Sequence, residues 1–302
     1  MALYLTNIAM LHAQRNLAKA TKSLDTTYQR LSSGLRINSA KDDPAGLQIA
    51  NRMTTEINGL YQANRNTNDG ISVAQTIDGA LDEVKNMLQR IRTLAVQSAN
   101  GTNTTDDRVA LSKEASQLCQ EITRIACRTT FAGAKILCGV DDQGRKMFDS
   151  QGRIKLQVGA HAGDTVSITG LSAGFSLRGI ASLVNVTDGG TKGYIEDADG
   201  IFRFALSTAE SSETTLGQID KFINAVSSKQ ADMGAIQNRL ESVIRLNEVT
   251  RTNMSDARAR IMDTDYVEEA SNLSAQSILQ QVAASMLARV SQQKNIILQL
   301  LQ

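Results

Sequence analysis

From Ile57 to Ala95 apolar and small residues return every three or four positions, through Leu60, Asn64, Thr67, Ile71, Ala74, Ile77, Leu81, Val84, Leu88 and Ile91, with no proline in the run. A repeat near 3.5 residues belongs to a helix whose seam stays against another helix. A helix over 45–99 would be roughly 80 Å long at about 1.5 Å per residue, a length that calls for a coiled coil. Three further blocks keep helical spacing. One runs through Leu17, Ala20, Leu24, Tyr28, Leu31 and Leu35. Another has Leu216, Ile219, Ile223, Val226, Gln230, Met233, Ile236, Leu240 and Val243, and the last has Leu273, Leu279, Val282, Met286, Val290, Ile297 and Leu300. Aromatic content of 4% with no Trp suits narrow helix packing and an elongated shape better than a thick core.

The chain's one proline, Pro44, follows the glycine break at Ser32–Gly34. Proline is excluded from helix interiors but fits a first turn, with Asp42 or Asp43 as cap, so Pro44 marks a joint. A charged stretch over 255–270 is the matching break in the second half. The outer layer then pairs the first and last blocks, and a helical shaft pairs the second and third. Between the shaft's halves glycines concentrate. "RIKLQVGAHAGDTVSITGL" alternates apolar and polar residues around a turn, a hairpin pattern, and "GIFRFALS" over 200–207 offers another strand. The expected fold is mainly α, with long antiparallel helical layers and a small insert containing a β-hairpin. The expected segments are 1–41 (inner-layer helix), 42–137 (shaft), 138–212 (β-rich insert), 213–262 (shaft) and 263–302 (inner-layer helix).

Chemistry finds little footing. His12 and His161 have no cysteine or carboxylate at ligand spacing, and no nucleotide or metalloprotease motif occurs. Acidic loops at 141–152 and 197–200 lack the twelfth-position Glu of an EF-hand and read as solvated turns. No cofactor, metal or enzymatic activity is expected. Cys119 and Cys127 lie eight apart on one helix, too far along it to bridge; with Cys138 they read as packed thiols, or as an occasional link between chains. A net charge of +1 gives no general case for nucleic acid or membrane insertion. The N-terminus lacks a secretory signal pattern.

The terminal blocks are thin. No acidic residue follows Glu269, and neither terminal helix carries enough apolar width to complete a core as a pair. Either the chain is a plain coiled coil, monomeric or dimeric, or its terminal helices are completed by other copies; a heterologous contact that does not close generates a filament.

"LSSGLRINSAKDDPAGLQIANR" and "NRNTNDGISVAQTIDGALDEVKNMLQRIRTLAVQSANGTNT" resemble the N-terminal signature of bacterial flagellin. "GAIQNRLESVI" and "ARARIMDTDYVEEASNLSAQSILQQ" resemble its C-terminal one, and "IKLQVGAHAGDTVSI" a hairpin of that family. The resemblance covers about 1–137 and 213–302. It implies a short form with a reduced outer domain, a structural filament subunit for motility, found in the extracellular flagellum. Terminal helices bearing Leu17, Leu24, Leu31, Leu279, Val282, Met286 and Leu300 would assemble the core. It also implies type III export through a disordered N-terminal signal, and a chaperone on the last helix. A cap protein and hook–filament junction proteins are the other implied partners. Toll-like receptor 5 would be met at the positions matching Arg90, Leu94 and Glu114; the residues alone read as a solvated helix face. Thr93 stands where many relatives carry an acidic residue. A hook–filament junction protein is the alternative, and an enzyme on the same frame a third reading.

Overall fold

The computed structural model describes residues 8–139, 145–184, 194–196 and 202–300. In order, these form α1 (Ile8–Ser33), α2 (Pro44–Ala99), α3 (Thr105–Arg128), β1 (Thr130–Phe131), β2 (Ala134–Lys135), β3 (Ile154–Gln157) and β4 (Thr165–Ile168). There follow α4 (Leu177–Leu183), β5 (Tyr194–Glu196), β6 (Phe202–Phe204), α5 (Ala209–Met262) and α6 (Tyr266–Leu300). The mainly helical reading holds. The chain divides into two compact units, one of residues up to Ile57 with those from Thr250 onward, the other Asn58–Val249. The division falls inside α2 and α5, whereas the sequence placed its segment boundaries at 41/42 and 262/263.

In the unit Asn58–Val249, buried positions of α2 step by three and four without a miss: Leu60, Ala63, Thr67, Gly70, Ala74, Ile77, Leu81, Val84, Leu88, Ile91, Ala95 and Ser98. On α5 the same stepping runs through Ser212, Thr215, Ile219, Phe222, Val226, Lys229 and Met233, and the seam then continues at heptad intervals with Leu240 and Asn247. The two seams face each other antiparallel, since each advance along α2 meets a matching retreat along α5. Asn64 is bonded to Asn247 at 3.0 Å, Lys85 to Gln230 at 3.1 Å, Arg92 to Asp220 at 2.7 Å and Ser98 to Ser212 at 3.0 Å.

Several expected seam positions move to the flank. Ala63 and Gly70 replace Asn64 and Ile71, and Lys229 replaces Gln230. Apolar residues on the flank are not wasted, because other elements cover them: Ile71 packs with Val158, Val166 and Leu240, and Leu216 and Ile223 pack against the main core. At Gly70 the hairpin comes close to α2, and an added Cβ would meet the Leu156 side chain at 2.4 Å.

The expected hairpin forms, with β3 and β4 antiparallel and Ile154 opposite Ile168. Polar α2 and α5 side chains tie it down: Asn66 donates to the Gln157 carbonyl at 3.2 Å and Asn247 to the Val158 carbonyl at 2.8 Å. Lys229 donates to the Thr169 carbonyl just past β4 and lies 3.5 Å from Asp232. Burial pushes its ammonium below the ordinary lysine range, with Asp232 opposing. The expected strand at 200–207 appears as β6, and its partner β5, which the sequence did not announce, pairs with it antiparallel.

Helix α3 is the main element outside the four blocks. Thr104 and Asp107 close a reciprocal capping box at its start, and Ala115, Cys119, Ile122 and Ala126 face the core. That T-x-x-D spacing is legible in "TTDD". Few aromatics are present, but Tyr194, Phe202, Phe204 and Phe222 gather in one cluster, with Tyr194 stacked on Phe202 at 4.3 Å and Phe204 edge-on to Phe222 at 5.3 Å.

Burial pushes the Cys119 thiol up to about 11, against a backbone hydrogen bond at Phe204 and the positive charge of Arg203. Among the described residues no disulfide joins the cysteines, and Cys127 and Cys138 are half-buried. Residues 141–144 and 197–200 of the two acidic loops lie outside the described residues. Asp149, within the first loop, accepts from the Gln151 and Arg153 amides at 2.9 Å.

Phe222 lies at the meeting of the α5 seam and the aromatic cluster, fully buried. Phe222→Ala should lower stability by about 3–5 kcal/mol through lost transfer energy and a cavity. Leu246→Ala, at a 65% exposed position on the same helix, should change it by less than about 0.5 kcal/mol. Urea unfolding of both variants beside the parent checks the contrast.

Candidate functional site

In the unit formed by residues up to Ile57 and from Thr250, two joints are stitched together. Gly34, at a φ of +70°, lets the chain turn out of α1. Its carbonyl then accepts from the Thr264 amide at 3.0 Å, and the Arg36 amide donates to the Met262 carbonyl at 2.6 Å. The Arg36 guanidinium reaches the Ile261 carbonyl at 2.8 Å. Pro44 opens α2 as expected, and the two aspartates before it divide the work. Asp43 caps the helix, accepting from the Gly46 amide at 2.9 Å. Asp42 holds the loop, accepting from the Asn38 and Ser39 amides at 3.1 and 2.9 Å and from the Ser39 hydroxyl at 3.1 Å.

The charged stretch over 255–270 is a far shorter break than its composition suggested. α5 continues through Met262, and only Asp263–Asp265 separates it from α6. Charges at helical spacing support a helix rather than end it: Arg260 pairs with Asp256 one turn back at 2.8 Å. Asp265 caps α6, accepting from the Val267 amide at 2.8 Å.

Helices α1 and α6 pack antiparallel, with Arg30 3.9 Å from Glu269 and Gln280 donating to Thr21 at 3.2 Å. The α1 seam is again a three–four step, Met10, Ala13, Leu17, Ala20, Leu24, Thr27 and Leu31, with Leu24 buried and Leu17 and Leu31 half-buried. On α6 the expected stripe is only partly covered. Leu273, Ala283, Leu287 and Val290 are half-buried, whereas Leu279, Val282 and Met286 are 53%, 47% and 52% exposed, together with Ile278. At 100° per residue Leu279 and Met286 lie only about 20–40° from Val290 and Val282 about 80° from it, so the outward residues are the flank of one wide stripe whose other edge meets α1. The Leu300 side chain lies outside the described residues.

Among the described residues of this unit the buried side chains are Ala20, Leu24, Thr27, Ile37, Ala50 and Glu269. Covering the exposed half of each outward α6 residue is worth about 1 kcal/mol apiece. Beside them runs a groove of about 510 Å³, lined by Leu279, Val282, Ala283 and Met286 from α6 and by Ala13, Asn16, Lys19, Ala20 and Ser23 from α1.

In the other unit Arg90 and Glu114 form a two-pronged pair, Nε and Nη2 of the arginine at 2.9 and 2.6 Å from one carboxylate oxygen, with both side chains about half exposed. Leu94 is 1% exposed within the core. Of the three positions, Arg90 and Glu114 reach solvent. His12 is exposed on α1, and the exposed His161 lies 3.6 Å from Asp164, a neighbour the sequence reading had not given it. Among the described residues no three His, Cys, Asp or Glu side chains gather as a metal site, and no helix is long and apolar enough to cross a membrane.

Comparison with known proteins gives two family matches, "Bacterial flagellin N-terminal helical region" over residues 5–142 and "Bacterial flagellin C-terminal helical region" over 216–301. The chain is similar to Flagellin of Halalkalibacterium halodurans, 36% identical with 98% of each chain covered, and to Flagellin B of Vibrio anguillarum, 34% identical with the same coverage. A solved structure from Vibrio parahaemolyticus described as a flagellar hook-associated protein is 15% identical, with 74% of this chain and all of that chain covered at a TM-score of 0.54; it speaks to the fold alone.

Backbone and hydroxyl donors of Ser39 hold the Asp42 carboxyl below its ordinary value of 3.8, with the Asn38 amide adding to them. A depressed carboxyl contributes stability above its unfolded value and loses it as pH falls through the lowered one. The loop should therefore be intact at neutral pH and loosen below about pH 4. Carbon-detected NMR titration should find Asp42 below 3.8, and Ser39→Ala, which removes the hydroxyl alone, should move it part of the way back.

Proposed function

The chain belongs to the bacterial flagellin family and is a structural subunit of the extracellular flagellar filament, not an enzyme, and on that premise we propose how its parts serve assembly. Self-association is the family's property. Leu17, Leu24 and Leu31 of α1 with Leu279, Val282, Met286 and Leu300 of α6 carry it, the first three by holding the helix pair and the outward α6 residues by meeting other copies. The observation that carries this reading is the exposed apolar face of Leu279, Val282 and Met286 on a helix pair with few buried side chains. The joint at Pro44, fixed by both aspartates and stitched to residues 261–264, sets where the terminal helices begin. Segments 1–41 and 263–302 act as the inner layer, 42–137 with 213–262 as the shaft, and 138–212 as the reduced outer part. The hook–filament junction reading is not favoured, because relatives named flagellin match nearly the full chain.

Export by the flagellar type III system is part of the same proposal. Its signal belongs to the N-terminal segment, of which residues 1–7 lie outside the described residues. An export chaperone covers the α6 apolar face before assembly, a cap protein guides insertion, and junction proteins meet the first subunits. Hydrophobic faces of this size on a single chain need cover, which supports a chaperone. Seeded growth of purified chain, followed by negative-stain electron microscopy, tests assembly: long uniform filaments are expected from the full chain and none from a chain ending at Glu269. A full chain that stops at short rings would overturn the reading.

Toll-like receptor 5 recognition is assigned to Arg90 and Glu114, whose polar atoms face solvent, with Leu94 acting from the core by holding α2 in place. An exposed ion pair contributes about 0.2–1 kcal/mol, so both can be removed without unfolding. Arg90→Ala with Glu114→Ala should lower receptor signalling by monomer severalfold at unchanged melting temperature, in a reporter-cell assay.

A further inference from the structure

The face of α1 turned away from α6 is also apolar at its start. Ile8 and Leu11 are 65% and 50% exposed, and at 100° per residue they lie opposite Leu17 and Leu24, the residues spent on α6. One helix pair thus presents two unlike apolar features: a short ridge on the back of α1, and the groove bordered by Leu279, Val282 and Met286. The ridge cannot fill the groove of its own chain, because Leu17, Ala20 and Leu24 of the same helix are already turned toward α6. We infer that Ile8 and Leu11 of one copy seat in the groove of the next copy.

This rests on the filament reading and assigns its contact. The ridge centres near residue 9 or 10 and the α1 side of the groove near residue 18, so seating one in the other offsets neighbouring copies by roughly 13 Å along the helix at about 1.5 Å per residue. Ridge and groove are different surfaces, so the contact is heterologous, and an offset along the axis prevents it from closing into a ring; the product is an open helical array. Apart from Lys19, the groove's polar border of Asn16, Ser23 and Gln276 is neutral, so Arg15 beside the ridge meets little opposition.

Two measurements on the full chain test the contact. Leu11→Asp, at a position already exposed, should leave the monomer's circular dichroism unchanged and slow seeded elongation about ten-fold or more; elongation at the parent rate overturns the inference. In the second, filaments grown from a mixture of a Leu11→Cys chain and a Val282→Cys chain are treated with a short bismaleimide, and the linked peptides are identified by mass spectrometry against parent filaments treated alike. Links joining position 11 of one chain to position 282 of the other support the contact. Links of 11 to 11 or of 282 to 282, or only those of the parent, overturn it while the filament reading stands. A parent chain that fails to elongate seeds removes the filament reading itself, and this contact with it.

Discussion

The register between α2 and α5 is the constraint on which the rest of the unit Asn58–Val249 depends. Twelve buried positions on α2 alternate steps of three and four, and the facing seam on α5 does the same from Ser212 to Met233. A helix slipped by one residue would turn its whole seam out by about 100°, so no local adjustment repairs an error. Polar rungs make the choice unique. Ser98 with Ser212, Arg92 with Asp220 and Asn64 with Asn247 each satisfy one another only in the observed pairing. The hairpin then docks on a surface that already exists, which is why Asn66, Lys229 and Asn247 can hold its carbonyls and why Leu156 comes to rest against Gly70.

The unit of the terminal helices obeys the same periodicity with the opposite outcome. Its α1 seam also alternates three and four, yet α1 and α6 leave substantial apolar surface on both of their backs. Where α2 and α5 have α3, α4 and the strand pairs to cover their flanks, the terminal helices have no such cover among the described residues of their unit. Incomplete burial is a defect in a solitary domain and an asset in a subunit, since the missing contacts are those a neighbour can supply. Stitched joints at Gly34–Arg36 and Ile261–Thr264 fix the start of these helices without burying them.

Much of the fold is legible in the residues. Long uninterrupted spacing announces α2 and α5, Pro44 with its aspartates announces the start of α2, and alternation around a glycine turn announces the hairpin. What misled was charge and covering. The charged run over 255–262 looked like a break, but its pairs at helical spacing belong to α5. Asn64, Ile71 and Gln230 looked like seam because apolar or amide residues at nearly the right step are indistinguishable from seam until their neighbours are known. Helix α3 carried its own sign in the capping box at Thr104 and Asp107, and β5 carried none, because three residues give no measurable period.

The candidate assembly face divides in the same way. Sequence determined that the terminal segments are helices, that they are apolar on part of their circumference and that nothing acidic follows Glu269, because period and composition are properties of the chain alone. Only the tertiary structure decided which apolar residues face α1 and which are left outward, placing Leu287 and Val290 inward and Leu279, Val282 and Met286 outside. It likewise decided that Leu94 is core while Arg90 and Glu114 reach solvent. The physical reason is that a period fixes angles around a helix only relative to one another; the direction of the core is set by what packs against it.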